Sequence, residues 1–343
     1  MLPISNVILP VFFTFLIGIA AAFFVLHFFP KWNLLDNPKA YGYKRQPIPL
    51  PGGIAPVFAF LLSLLLFFPL AEKILALFCA IILISVVSFI DDRKNISPFL
   101  RLCIHFFSAA LLVAAGIRID YLSNPFSNEA LFLPDIFFLL PAIITTLWLV
   151  GFANVLNWLD GVPGLSAASA AAAGVFLGVL SLSPLVNQPE IAMLSFVFAA
   201  AALSFVFFNI SPPKMLLGDT GAMTFGFVIA ALSVFSGGKM ATVFLVLALP
   251  LLDAFFVIIR RILAGKNPFR GRDNRHLHDR LSRCGVSERG VLAVFLIPSL
   301  ILGWGSLQLQ TGGKLLLIVC STFVFLSFSA FLEKCIRRKT KKR

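Results

Sequence analysis

Five short polar stretches interrupt an otherwise apolar chain, and their residue types suit carboxylate, metal and phosphate chemistry. The first is the pair Asp91-Asp92, which closes an apolar run. Adjacent carboxylates repel each other, so at least one is expected to have a raised pKa unless a cation sits nearby. Negative charge is unfavourable at a helix carboxyl terminus, so capping of their own helix does not explain them. The second stretch is Asn154-Val-Leu-Asn157-Trp-Leu-Asp160-Gly161. A spacing of three puts the two amides and the carboxylate on one helical face. Such a face either lines a polar cleft or hydrogen-bonds between helices.

The third stretch runs from Asn209 through Pro212, Pro213 and Lys214 to Gly218-Asp219-Thr220-Gly221. Prolines end a helix there and glycines permit close backbone approach. A carboxylate on such a turn suits Mg²⁺, which takes one or two carboxylates plus substrate phosphates. An Asp in a simple turn before a helix is the plainer reading of this motif in isolation. The fourth holds Arg270, Arg272, Arg275, His276, His278, Asp279 and Arg280. Zinc is disfavoured because no cysteine or third histidine lies close. Histidines among arginines suit a pyrophosphate, which accepts charge-assisted hydrogen bonds from both. In the fifth, Asp36 to Gly53, Arg45 is either a phosphate or nucleotide contact or an ordinary charge of a basic loop.

These residues must be positioned by helices in lipid. The 343-residue chain is 59% hydrophobic and 13% charged, with a mean hydropathy of +0.97. A soluble domain averages roughly 25% charged residues, and one core of this length could not hide so much apolar surface. A spanning helix needs ~20 apolar residues. Runs near 6–29, 53–70, 74–90, 99–117, 135–153, 163–182, 190–208, 221–236, 240–259, 290–310 and 314–333 therefore predict an all-α, polytopic bundle of about eleven spans. The chain reads as one integral domain over 1–343, with a large loop at 260–290 and a basic tail at 334–343.

Orientation follows from the bias of lysine and arginine towards cytoplasmic loops. With the amino terminus outside, every lysine and arginine except Lys73, Arg118, Lys239 and Lys314 falls inside. The carboxyl terminus is then cytoplasmic, as are all five polar stretches. The net charge of +13 thus reflects topology, and no nucleic-acid partner is needed to explain it. Asp253, the only acid well inside a predicted span, is read as a structural partner two turns before Arg260 and Arg261. A transporter or flippase without chemistry is the competing class. A membrane scaffold would leave the carboxylate motifs unexplained.

In this order and on this side, the motifs Asp91-Asp92, Asn154-x-x-Asn157-x-x-Asp160-Gly161, Asn209-x-x-Pro212-x-Lys214-x-x-x-Gly218-Asp219-x-Gly221 and His276-x-His278 resemble the polyprenyl-phosphate N-acetylhexosamine-1-phosphate transferase family. The resemblance covers about residues 30 to 285 and implies an eleven-span enzyme of the bacterial cytoplasmic membrane. It implies a cytoplasmic cleft that needs Mg²⁺, with Mn²⁺ as a substitute. By matching motif, Asp91 resembles the residue that deprotonates or orients the lipid phosphate, with Asp92 beside it. Asp219 resembles the principal Mg²⁺ ligand. Asn154, Asn157, Asp160 and Gly161 resemble cleft residues that hold nucleotide and metal, Asp160 being the second metal candidate. Asn209 and Lys214 would flank the nucleotide, and His276 and His278 would stand near the diphosphate or sugar, with Arg270 and Arg272 as further contacts.

The implied partners are a UDP-N-acetylhexosamine, undecaprenyl phosphate and the bilayer, with a homodimer left open. Many family members have a third histidine where this chain has Asp279, and the phospho-MurNAc-pentapeptide translocase branch has three consecutive histidines. The resemblance therefore favours an enzyme that initiates O-antigen or another surface polysaccharide over the translocase. The sugar is expected to be N-acetylglucosamine or a 6-deoxy relative, N-acetylfucosamine or N-acetylquinovosamine.

Overall fold

A computed structural model gives the structure over residues 4–41, 45–124, 126–127, 130–133, 139–235, 239–265 and 275–341. Among these residues the chain is helical, apart from one small antiparallel hairpin of Tyr121–Ser123 (β1) and Ala130–Phe132 (β2), in which Tyr121 pairs with Phe132. The hairpin and an isolated antiparallel bridge between Leu35 and Pro49 are the departures from an all-α fold among the described residues.

The helices are α1 (Ile4–Phe28), α2 (Ile54–Phe67), α3 (Glu72–Lys94), α4 (Pro98–Ala114), α5 (Leu139–Leu159), α6 (Leu165–Leu182), α7 (Pro189–Asn209), α8 (Gly218–Phe235), α9 (Met240–Val246), α10 (Ala248–Leu263), α11 (Leu277–Arg283), α12 (Glu288–Gln308) and α13 (Thr311–Lys341). Eight of them are long and apolar enough to cross a membrane, so the protein is a multi-pass membrane protein. The pair α9 and α10 is a ninth candidate only if counted together, while α2 and α4 are apolar but shorter.

The expected span at 240–259 is not one straight helix. It bends by 84° between α9 and α10. Pro250 explains the break: it has no N–H to give the carbonyl of Val246, and its ring crowds that carbonyl. Two other boundaries also shift. Helix α5 runs to Leu159 and so carries Asn154 and Asn157 within it, and α8 begins at Gly218, which puts Asp219 in its first turn.

Helix α8 is the axis of the bundle and packs on α3 and α5. Of its apolar window 83% is buried, against 22% for α1 and α13. Trp148 of α5 donates through its indole N–H to the Ser233 hydroxyl of α8 at 3.0 Å. At the other end, the backbone N–H groups of Gly52 and Gly53 donate to the carbonyls of Leu216 and Leu217 at 2.7 and 2.9 Å. A Cβ on Gly53 would lie 2.5 Å from the Gly221 backbone, so only glycine allows α2 to start against the start of α8.

The α3–α4 connection is short for legible reasons. Asn95 takes a left-handed conformation (φ 48°) and ends α3. Ser97 then caps α4 by accepting the Leu100 N–H at 3.3 Å, and Pro98 occupies the first turn, where its missing N–H costs nothing. This turn folds the first turn of α4, with Arg101, back over the last turn of α3.

Candidate active site

Four carboxylates from three parts of the chain meet where α3 ends and α8 begins. Asp91 accepts the Ile96 N–H at 2.6 Å on one oxygen and Arg101 Nη1 at 2.7 Å on the other. The same Nη1 donates to Asp219 at 2.8 Å, so one guanidinium nitrogen bridges α3 and α8. The second Asp219 oxygen accepts the Asn157 amide at 2.7 Å.

Asp92 accepts the Asp219 N–H at 2.9 Å on Oδ1, and the Thr220 N–H and hydroxyl at 3.0 and 2.6 Å on Oδ2. Asp160 accepts the Gly218 N–H at 3.1 Å. The first N–H groups of a helix have no partner within it and carry the positive end of its dipole. Those of α8 are thus met by carboxylates from elsewhere. This corrects the sequence argument against capping: Asp92 is a cap, for the amino terminus of another helix.

One arginine against four carboxylates leaves a surplus of negative charge. It shows at Asp160, in the turn after α5, whose carboxyl is held well above the usual carboxylate range by burial and by the charges of Asp219 and Asp92. A proton relieves that surplus, and so would a cation. The donors are all oxygens, which suits a hard divalent ion such as Mg²⁺. Among the described residues no three His, Cys, Asp or Glu side chains form a ready-made cage. The fit is therefore to an ion held by Asp219 and Asp160 and completed by phosphate oxygens.

The histidines form the second half of the site. His276 Nδ1 lies 2.9 Å from Asp253 Oδ2, and its ring stands 5.7 Å from Trp158. The His276 and His278 rings are parallel within 2°, with centroids 5.6 Å apart. A Cβ on Gly161 would sit 2.8 Å from His278 Nε2, so glycine here lets the imidazole approach the α5–α6 turn. That turn joins the two halves, with Asp160 facing α8 and Gly161 facing His278. Asp279 places a carboxylate oxygen 3.6 Å from His278 Nε2.

The structure thus brings together Asp91, Asp92, Asn157, Asp160 and Asp219, and sets Gly161, His276 and His278 beside them. It does not bring in every candidate. Asn154 turns its amide nitrogen back to the Val150 carbonyl at 2.8 Å, along its own helix. Asn209 is 1% exposed; its oxygen accepts the Gly164 N–H at 2.8 Å and its nitrogen donates to the Met215 carbonyl at 2.9 Å. Both ends of that amide hold backbone, so Asn209 shapes the turn before α8. Lys214 is exposed on that turn. Arg45 is committed to Asp36 at 2.6 Å and to the Gln46 carbonyl. Arg270 and Arg272 lie outside the described residues.

Three contributors went unrecognised in the sequence. Arg101 counted only as a loop charge, although a nearby cation was one of the two ways to relieve the Asp91-Asp92 pair. Thr220 and Trp158 carry no distinguishing signal beyond their place in the motifs. Asp253 does serve within the bundle, but its partner is His276, with the N–H of Leu277, and not Arg260 or Arg261.

The family profile of Glycosyl transferase family 4 matches residues 74–237, which hold every carboxylate of the cluster. The chain is 32% identical over 275 residues to the "Probable undecaprenyl-phosphate N-acetylglucosaminyl 1-phosphate transferase" of Bacillus subtilis (strain 168), covering 78% of this chain and 75% of that relative. It is 29% identical over 307 residues to the undecaprenyl-phosphate alpha-N-acetylglucosaminyl 1-phosphate transferase of Haemophilus influenzae, covering 85% and 84%. To the decaprenyl-phosphate N-acetylglucosaminephosphotransferase of Mycolicibacterium smegmatis it is 27% identical over 329 residues, covering 83% and 80%. With 32% identity across three quarters of both chains and the matching profile, this chain belongs to the polyprenyl-phosphate N-acetylglucosaminyl 1-phosphate transferase family.

Proposed function

We propose that this protein transfers N-acetylglucosamine 1-phosphate from UDP-N-acetylglucosamine to undecaprenyl phosphate, at the cytoplasmic face of the bacterial inner membrane. The observation that carries the reading is the meeting of Asp91, Asp92, Asp160 and Asp219 at the start of α8, with Arg101 bridging Asp91 and Asp219. The names of the relatives support the sugar and the polyprenyl acceptor. The charge bias of the loops supports the side, with all eleven apolar segments crossing and the amino terminus outside. The product would open synthesis of a surface polysaccharide such as O-antigen.

In this reaction an oxygen of the lipid phosphate forms a bond to the β-phosphorus of the donor. The bond from that phosphorus to the bridging oxygen breaks, and UMP leaves. Phosphoryl transfer depends on in-line positioning and neutralised oxygens more than on covalent help. Mg²⁺, or Mn²⁺ in its place, would be held by Asp219 and Asp160 and supplies charge neutralisation at the diphosphate when bound. Arg101, aimed by Asp91, offers a fixed cation to the acceptor phosphate. A lipid phosphate is largely ionised near pH 7, so Asp91 acts as an orienting group for Arg101 and not as a base. Asp92 holds the α8 amino terminus in place, and His276 and His278 face the donor from the other side of the α5–α6 turn.

The test is to incubate the purified protein with radiolabelled UDP-N-acetylglucosamine, undecaprenyl phosphate and Mg²⁺. Labelled lipid-diphospho-sugar and UMP should form in equal amounts, and chelation should stop both. UDP-N-acetylfucosamine and UDP-N-acetylquinovosamine belong in the same panel to fix the sugar. Movement of labelled substrate into vesicles without UMP release would establish a transporter instead.

A further inference from the structure

We propose that Asp253 is the positioning residue for His276: it fixes the imidazole proton on Nδ1 and leaves Nε2 as the nitrogen that meets the donor's diphosphate. The inference rests on the transferase reading and assigns a task within it. Asp253 lies in α10, just past the bend at Leu247, with its side chain 6% exposed. Its Oδ2 stands 2.9 Å from His276 Nδ1, and its Oδ1 accepts the Leu277 N–H at 2.9 Å.

An ionised carboxylate only accepts, so the proton in the short contact belongs to Nδ1. The hydrogen bond at one ring nitrogen determines what the other can do. Nε2 has no hydrogen-bond partner among the described residues, and the ring rests against Trp158 and His278. The imidazole is thereby held in one orientation with one nitrogen unused. The bend at Leu247 contributes, because it directs the first turns of α10 away from the line of α9.

A purely structural role is the rival: Asp253 would then serve only as the acceptor for the first N–H of α11. Asp253→Asn separates the two. Its amide oxygen can still accept the Leu277 N–H, but its amide nitrogen must donate to Nδ1, which moves the imidazole proton to Nε2. Asp253→Glu keeps a carboxylate acceptor at a longer reach.

The chain has four histidines, so selective ¹⁵N-histidine labelling in detergent micelles gives a spectrum that His276→Gln assigns. Wild type should show an Nδ1–H tautomer at His276, and UDP-N-acetylglucosamine should shift its Nε2 resonance. Asp253→Asn should show the Nε2–H tautomer, an unchanged melting midpoint, and a kcat lower by roughly a hundredfold, the scale of a displaced reacting group. Asp253→Glu should restore the tautomer and part of kcat. An Nε2–H tautomer in the wild type overturns the proposal even where a variant does not fold, and so does a His276 spectrum that ignores the nucleotide sugar. If the protein transfers no sugar phosphate from any donor while the tautomer switches as described, the transferase reading has failed and the positioning of His276 by Asp253 stands.

Discussion

Asp92 binds Thr220 twice, through the backbone N–H at 3.0 Å and the hydroxyl at 2.6 Å, and so ties the last turn of α3 to the first turn of α8. This contact sets the separation between the Asp91 and Asp219 carboxylates, because each is the chain neighbour of one partner. Hydrogen bonds to charged groups contribute about 1.5–3 kcal/mol each. Thr220→Val removes the hydroxyl and keeps the backbone bond. It should lower stability by about 2 kcal/mol and lower transferase activity as well, as read from thermal unfolding in detergent and from initial rates. A stable but inactive Thr220→Val protein would instead make the hydroxyl a direct participant.

Arg101 holds two carboxylates with one nitrogen, so its loss leaves both without their cation. Arg101→Ala should reduce kcat by roughly a hundredfold or more, the scale of one lost transition-state contact. Arg101→Lys keeps the charge but lacks the planar fork, and should fall between the two. Rates near wild type in the alanine variant would remove Arg101 from the reaction.

Gly161 tests the junction between the two halves. The added methyl of Gly161→Ala meets His278 Nε2 at 2.8 Å, and His278 is buried, so the imidazole has to move. Because Gly161 is itself exposed, the fold should survive with its melting midpoint intact. The expectation is a fall in kcat/KM of about tenfold to a hundredfold. Unchanged kinetics would show that His278 does not need its place beside the turn.

Asn209 and Lys214 belong to one motif and should behave in opposite ways. Asn209→Ala leaves the Gly164 N–H and the Met215 carbonyl buried without partners, at about 1–3 kcal/mol each. It should melt early or fail to accumulate. Lys214→Ala changes an exposed side chain and should leave stability within about 0.5 kcal/mol, while raising the donor KM if the lysine meets the nucleotide. Unfolding curves and donor titrations on the pair distinguish the roles.

The carboxylates were legible because ionisable groups are expensive at the ends of apolar runs, and that expense marks Asp91, Asp92, Asp160 and Asp219 without any coordinates. Their wiring was not legible. Arg101 and Asp219 are 118 residues apart, and only the Asn95–Pro98 turn reveals that they meet. Asp253 was matched to Arg260 and Arg261 because helical spacing sees one element at a time, whereas its partner lies 23 residues on, just before α11. The amide of Asn209 was assigned to a ligand because a sequence records a polar group but not the backbone that satisfies it. The bend at Leu247 had its cause written in Pro250, yet an apolar run of ordinary length concealed it.

Lipid touches the helices of this bundle unequally. A bilayer that thickens or thins acts on the hydrocarbon-facing surface, and helices accommodate it by tilting. That surface belongs mainly to α1, α3, α12 and α13, while α8 meets little of it. The outer helices α1, α12 and α13 can therefore lean with the membrane while Asp219, carried on the buried α8, keeps its depth.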